Sequence, residues 1–275
     1  MTIHRLKLNG FDYAVTEEGS GGPVLLFHGF PDSARLWRHQ IPALVAAGYR
    51  VIAPDLRGFG ETAKPAEETA YTLGSVLGDV VALLDHFGIA RTRLISHDWG
   101  AALGWLLAAQ LPDRVQCHIA CSVGHLSALW HAGIAQRRLA WYMLLFMHRG
   151  LAEEILQRDD WQWFRDLFQH HPELDTWLAD LGRPGALTAA LNWYRANVGV
   201  ETWTRDGWVL PRVKVPTLGV WSTGDAYLTE TQMVTSAQYM DAPFDYHRLE
   251  GGSHWFMLDR PQDVSRLFVD WLGRH

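Results

Sequence analysis

Leu94-Ile95-Ser96-His97-Asp98-Trp99-Gly100, continued by Ala101-Ala102-Leu103-Gly104-Trp105-Leu106-Leu107, is the stretch from which the fold can be read. Leu94 and Ile95 belong to the apolar run of a buried strand, and from Ala101 onward the residues are good helix formers. Only a very tight turn fits between them. It follows the pattern small-x-Asp-x-small, Ser96-His97-Asp98-Trp99-Gly100. Such a turn needs a strained central residue and small flanking side chains, because strand and helix crowd together. It holds the central side chain up at the carboxyl edge of a sheet. Taken alone, Asp98 could be no more than a helix N-cap. As an exposed carboxylate it is also an anion at neutral pH, since the reference pKa is ~3.9. It can therefore attack an sp³ carbon without a base to activate it, leaving an ester that a separate base must hydrolyse.

The pattern around this stretch is that of one large α/β domain with an insertion. Residues 3–9 read as a strand. It pairs with 11–17 across Asn9-Gly10, a strong hairpin signal. Val24-Leu25-Leu26-Phe27 is a continuous apolar strand ending in His28-Gly29-Phe30-Pro31. Asp32-Ser33 can cap a helix over 34–47, stopped by Gly48. Further strands are expected at 49–54, 115–122, 217–222 and 244–249, with helices at 73–87, 229–240 and from Pro261. The loop Asp55-Leu56-Arg57-Gly58-Phe59-Gly60 is no dinucleotide fingerprint, because its glycine spacing is wrong and Pro65 follows. Strand–helix alternation of this kind builds a mostly parallel sheet with helices on both faces, and ligand sites lie at the carboxyl ends of its strands.

The alternation breaks from about 125 to 211, where only helical periodicity is found, at 136–148, 150–157, 160–169, 172–182 and 184–197. This divides the chain into a core of 1–124 and 212–275 and a helical cap of 125–211. The cap holds eight of the 14 tryptophans but only two of the eight tyrosines, Tyr142 and Tyr194. Most of its aromatics should pack its own core.

Composition narrows the function. A formal charge of −6 with no Lys/Arg-rich block argues against nucleic acid or an anionic membrane as partner. Met1 to Gly10 has no signal-peptide core, and no apolar run is long enough to cross a bilayer. The two cysteines, Cys117 and Cys121, fall four apart in an expected strand, which sets them ~13 Å apart, too far for a disulfide. A reduced cytoplasmic protein, monomer or homodimer, is expected. The 14 histidines show no zinc-ligand spacing, and His170-His171 reads as a solvated helix end.

Over nearly its full length the chain resembles the α/β-hydrolase superfamily, and more narrowly the epoxide hydrolases of its aspartate-nucleophile branch. The resemblance is carried by His28-Gly29-Phe30-Pro31, His97-Asp98-Trp99-Gly100 and Asn192-Trp193-Tyr194-Arg195. Tyr142-Met143-Leu144-Leu145-Phe146 followed by Gly150-Leu151-Ala152-Glu153 adds to it. Ser96 departs from the glycine usual at its position. The resemblance implies a catalytic set in the order Asp98, Asp225, His254. Asp98 would be the nucleophile, His254 the base for water, and Asp225 the residue that orients His254. Tyr142 and Tyr194 would donate hydrogen bonds to the epoxide oxygen, and the backbone N–H groups of Phe30 and Trp99 would form the oxyanion hole. Phe30, Trp99, Tyr142, Tyr194 and Trp255 are the expected substrate contacts. His28 would support the oxyanion loop.

His254 could instead be a loop histidine, and Glu250 or Asp245 could replace Asp225. The alternative acid position after the strand ending at Ser122 is closed, since 115–130 contains no Asp or Glu. The expected partners are a small apolar epoxide and water, with no metal or organic cofactor. The rivals are a haloalkane or haloacid dehalogenase with the same triad, and a non-catalytic protein that binds a small ligand. In a dehalogenase the two phenols would have no chemical task.

Overall fold

A computed structural model describes residues 1–169, 171–199 and 209–275. Among these, eight strands form one sheet in the order β1-β2-β4-β3-β5-β6-β7-β8. They are β1 (Thr2–Leu8), β2 (Phe11–Gly19), β3 (Gly22–Phe27), β4 (Tyr49–Pro54), β5 (Thr92–His97), β6 (Val115–Cys121), β7 (Thr217–Ser222) and β8 (Phe244–Leu249). β1 and β2 form the expected hairpin, with Asn9 and Gly10 at positive φ of 47° and 89°. β2 also runs antiparallel to β4, and every pair from β4 to β8 is parallel. The central strands are covered on both faces, so Val24 to Phe27 and Leu94 to Ile95 are all buried.

Around the sheet lie α1 (Gln40–Ala46), α2 (Leu73–His86) and α3 (Trp99–Gln110). The helix expected over 34–47 is divided into a tight turn at Ala34–Trp37 and then α1. Pro42 explains the division. It has no N–H to bond the carbonyl of Arg38, and its ring crowds that carbonyl, so it is tolerated only in a first turn. After β7 comes α10 (Glu230–Val234). It covers only the start of the helix expected over 229–240, and the chain tightens to a 3₁₀ turn at Thr235–Tyr239. There Thr235 bonds back to the carbonyl of Thr231 at 2.7 Å, a contact that bends helices. α11 (Phe256–Asp259) and α12 (Pro261–Leu272) close the chain, with Pro261 in the first turn as expected.

Between β6 and β7 the described residues form six helices: α4 (Leu126–Trp130), α5 (Gly133–Leu139), α6 (Tyr142–Phe146), α7 (Leu151–Leu167), α8 (Leu174–Leu181) and α9 (Ala186–Asn197). The single helix expected over 136–148 is two. The break lets Tyr142 and Phe146 turn inward while Trp141 and Leu144 stay exposed. α7 is interrupted at Arg158–Trp161, where Asp159 and Asp160 take left-handed conformations that Asp tolerates better than most residues. This matches the expected gap between 157 and 160.

His170 lies outside the described residues, and its neighbour corrects an expectation. His171 is buried, not solvated: its ring stacks on Trp177 with centroids 4.8 Å apart, and its Nε2 lies 3.5 Å from Asp259. An imidazole's flat apolar faces suit an aromatic sandwich as well as water. Among the described residues both cysteines are free and buried, no helix is long and apolar enough to cross a membrane, and no metal-ligand cluster occurs.

Candidate active site

The turn between β5 and α3 holds Asp98 at φ 52° and ψ −123°, a conformation that costs a non-glycine residue free energy. The glycines around it explain how so sharp a turn packs. A Cβ on Gly29 would lie 2.3 Å from the Asp98 carboxylate, and one on Gly100 would lie 2.3 Å from the carbonyl oxygen of His28. Ser96 is accommodated differently. Its Oγ pairs with Nε2 of buried His118 on β6 at 2.6 Å, in space left by Gly104 on α3.

The Asp98 side chain is held on two sides. Oδ1 accepts the backbone N–H of Phe30 at 2.7 Å, and the Trp99 backbone donates at the positive end of α3. Oδ2 faces Nε2 of His254 at 3.6 Å. Nδ1 of His254 lies 2.8 Å from Oδ2 of Asp225, and Oδ1 of Asp225 accepts the backbone N–H groups of Tyr227 at 2.9 Å and Leu228 at 3.0 Å. Asp225 thus has both oxygens engaged, one by its own turn and one by the imidazole. Asp245 bonds the Trp271 indole and Glu250 pairs with Arg248, so neither of the other candidate acids faces His254.

Electrostatics follow from these contacts. Burial alone would lower the pKa of His254, but the carboxylates of Asp225 and Asp98 outweigh it and raise it to about 10. Burial would raise that of Asp98, yet the His254 cation and the Trp99 N–H hold it below its ordinary value. His97, next to Asp98 in sequence, is pushed down to about 3 chiefly by burial and is a neutral ring. Its Nε2 contacts the backbone carbonyl of His254 at 3.0 Å, and Ser122 Oγ donates to the same carbonyl at 3.2 Å. His28 bridges Gly29 and Leu56: Nε2 accepts the Leu56 N–H at 2.9 Å, which leaves Nδ1 to donate to the Gly29 carbonyl.

Asp98, His254, Trp99, Tyr142 and Tyr194 line one cavity. The two tyrosine rings meet edge to face with centroids 6.2 Å apart, and Tyr194 meets Trp99 at 5.0 Å. Burial raises both phenol pKa values well above the ordinary one, so both stay protonated donors. Phe30 and Trp255, expected against substrate, do not line this cavity. The Phe30 ring packs among Phe59, Phe146, Phe164, Phe168 and Tyr194, and Trp255 packs on Trp177, Phe168 and His171. Tyr227 and Leu228 line it without having been singled out in the sequence. Their place two and three residues after the acid is the signal that could have found them.

The segment Asn192-Trp193-Tyr194-Arg195 is an anchoring motif. Arg195 forms a two-pronged pair with Glu153 at 2.8 and 2.9 Å and donates to the carbonyl of Phe146 at 2.9 Å, at the end of the helix that begins with Tyr142. Trp193 donates to the carbonyl of Arg57 in the core at 2.8 Å. The two tyrosines are therefore tied to each other and to the sheet.

Residues 22–261 match the model of the alpha/beta hydrolase fold family. Epoxide hydrolase A of Mycobacterium tuberculosis is 30% identical over an alignment of 317 positions that covers 98% of this chain and 97% of the relative. An epoxide hydrolase of Caballeronia sordidicola is 30% identical over 306 positions, covering 97% and 92%. Among solved structures, an epoxide hydrolase from Vigna radiata superposes with a TM-score of 0.86 at 27% identity, covering 100% of this chain and 98% of the other. Epoxide hydrolase A from Mycobacterium thermoresistibile gives 0.82 at 29% identity, covering 99% and 98%.

Proposed function

The chain belongs to the α/β-hydrolase family and, within it, to the epoxide hydrolases, which turn an epoxide and water into a vicinal diol, and we propose that it does so through an ester on Asp98. The observation that carries this reading is the division of labour between the two Asp98 oxygens: Oδ1 sits on the Phe30 N–H while Oδ2 faces the cavity and His254.

In the first step Oδ2 displaces the epoxide oxygen at carbon. The electron pair of the broken C–O bond stays on that oxygen, and Tyr142 and Tyr194 donate hydrogen bonds to it and supply its proton. In the second step water attacks the Asp98 carboxyl carbon. His254 takes its proton, and the Phe30 and Trp99 amides stabilise the negative charge on Oδ1. The Oδ1 charge then returns to form the carbonyl and the Cγ–Oδ2 bond breaks, the His254 imidazolium gives its proton to the departing Oδ2, and the diol leaves with that oxygen; water's oxygen remains in the carboxyl group, whose proton restores the tyrosine that protonated the epoxide oxygen.

A histidine raised to about 10 is a cation at neutral pH and no base. Ester formation changes this. It neutralises Asp98, one of the two carboxylates that hold the imidazole charged, so the pKa of His254 falls when a base is required. Asp225 then stabilises the imidazolium formed during hydrolysis.

We assign 125–211 as a cap that seats Tyr142 and Tyr194 over the core of 1–124 and 212–275. Trp99, Tyr142 and Tyr194 are the substrate contacts in this reading. The rings of Phe30 and Trp255 back the site from outside the cavity. The unbonded, buried cysteines support a cytoplasmic enzyme, read as a monomer or homodimer.

A single turnover in heavy-oxygen water tests the ester. The first diol should carry the normal oxygen of Asp98 while the label enters the protein carboxylate. Label found directly in the first diol would mean direct attack by water and would end this reading.

A further inference from the structure

We propose that His97 is a positioning residue for the base. It holds the backbone of His254 in register with Asp98, the next residue of the chain, and it serves hydrolysis of the ester, not its formation. The inference rests on the Asp98-ester reading above and assigns a further residue within it.

The loop that carries His254 has little stiffness of its own. Gly251 and Gly252 stand at positive φ, 71° and 95°, and glycine leaves the backbone torsions free. Side chains from other elements hold the loop residue by residue. Ser222 Oγ, at the end of β7, is within donating distance of the Gly251 and Gly252 carbonyls, at 3.0 and 2.6 Å. Oδ2 of Asp259 accepts the Ser253 backbone N–H at 2.5 Å and its hydroxyl at 2.7 Å. The His254 carbonyl takes two donors, Nε2 of His97 at 3.0 Å and Ser122 Oγ at 3.2 Å. Ser122 is itself fixed, since its carbonyl accepts Nε2 of Gln232 at 2.8 Å. The carboxyl ends of β5, β6 and β7 therefore all hold this loop, and His97 is the anchor that adjoins Asp98.

The state of the His97 ring suits this task. A carbonyl only accepts, so Nε2 carries the proton. Nδ1, buried and without a hydrogen-bond partner among the described residues, is bare. The ring is fully buried, and its centroid lies 4.5 Å from that of His254. In the free enzyme His254 has another hold, the Asp98 carboxylate at 3.6 Å. Ester formation removes that charge. The imidazole then keeps one side-chain bond, from Nδ1 to Asp225, about which the ring can swing. What restrains it further is the backbone that His97 and Ser122 hold, and this is the stage at which water must be aligned with the ester carbon. Ester formation makes no such demand, because Asp98 is set by the Phe30 N–H and by its own turn.

Rapid mixing with styrene oxide, with intact-protein mass spectrometry of quenched samples, separates the two steps. His97→Met keeps the side-chain length and removes the donor. Its ester hydrolysis should slow by about 10²-fold, the order expected when a reacting group is misplaced by ~1 Å. Alkylation should stay near the wild-type rate, so ester accumulates, and kcat and KM fall together with kcat/KM unchanged. A purely structural role would not give that split. His97→Gln, whose amide N–H can reach the same carbonyl, should recover most of the hydrolysis rate. Ser122→Ala, far from Asp98 in sequence, should show the same split to a smaller degree. Wild-type hydrolysis in His97→Met, equal slowing of both steps, or a His97→Gln no faster than His97→Met would overturn the assignment. If His97→Met does not fold, Ser122→Ala decides, and a wild-type hydrolysis rate there overturns it. Absence of a covalent adduct in wild type and in His254→Gln alike would instead count against the ester reading beneath it.

Discussion

The two halves of the active site are held in place by different means. Asp98, the Phe30 amide and the Trp99 amide are set by backbone: a strained turn and glycines with no room for a Cβ, within two short stretches, 28–31 and 96–100. Tyr142 and Tyr194 are set by side chains that reach across the cap, Arg195 to Glu153 and to Phe146, and Trp193 to Arg57. The first kind of constraint is local in sequence and tolerates little change. The second is distributed, and its parts can be removed one at a time. Damage to the core half should therefore act as a step, and damage to the cap half should be graded.

The sharpest break is Asp98→Ala. It should abolish diol formation by at least about 10⁴-fold, measured by product release at saturating substrate, while the protein stays folded by circular dichroism. Next is His254→Gln. Overall turnover should fall by about 10³-fold or more, yet Asp98 needs no deprotonation and should still be alkylated. Intact-protein mass spectrometry should find one substrate mass added; a folded variant that stays unmodified would contradict the separation of the two steps.

The cap half should respond by degrees. Tyr142→Phe and Tyr194→Phe should each slow ring opening moderately, because the partner phenol remains. The double variant should lose roughly 10²–10³-fold, the usual cost of missing donors to a developing oxyanion. Rapid mixing resolves alkylation from ester hydrolysis, and hydrolysis should be little changed. A double variant that alkylates at the wild-type rate would remove the phenols from the chemistry. Arg195→Met leaves Glu153 partly buried without its cation, which typically costs about 3 kcal/mol. Denaturant titration should show that loss, whereas Arg158→Ala, on an exposed pair, should cost less than about 1 kcal/mol.

The smallest effect probes the link between ester formation and the base. Asp98→Asn imitates the neutral ester, so the His254 imidazole, followed by NMR, should titrate lower than in wild type by about one unit or more. The sign of the linked stability is fixed. His254 in the folded protein is raised above its ordinary 6.5, so its contribution is fully present below that pH and is lost as pH rises towards about 10. Wild type should lose stability over this window, and Asp98→Asn should lose less.

The same contrast explains what could be read from the sequence. The elbow and the hairpin at Asn9-Gly10 were legible because each depends on a few adjacent residues with strict conformational needs, whereas the grouping of Asp225 and His254 with Asp98 came from the resemblance to the family and not from local sequence. Tyr142 and Tyr194 were found as the tyrosines of a tryptophan-rich insertion, but helix boundaries around them were not. Nothing in the periodicity of 136–148 shows that the helix breaks between Leu139 and Tyr142, because what decides it is packing against residues far away in sequence. His171 read as solvated because its stacking partner Trp177 and its contact Asp259 cannot be inferred from composition. The Phe30 amide bonds Asp98 while its ring lies in an aromatic cluster outside the cavity, since backbone position does not fix which cluster a side chain joins.

The accommodation of Ser96 has a consequence for mutational history. A methyl group at position 104 would meet Ser96 Oγ at 2.7 Å and His118 Nε2 at 2.8 Å. Gly104→Ala would therefore force the Ser96 hydroxyl and the His118 ring to shift and would disturb their hydrogen bond. A prior change of Ser96 to glycine, with His118 made smaller, would ease it. Conversely, a relative that already carries a larger residue at the equivalent of 104 cannot acquire the serine and histidine without first giving that residue up. The three positions form an ordered path, along which variants made singly in this background will misreport what each residue does in another.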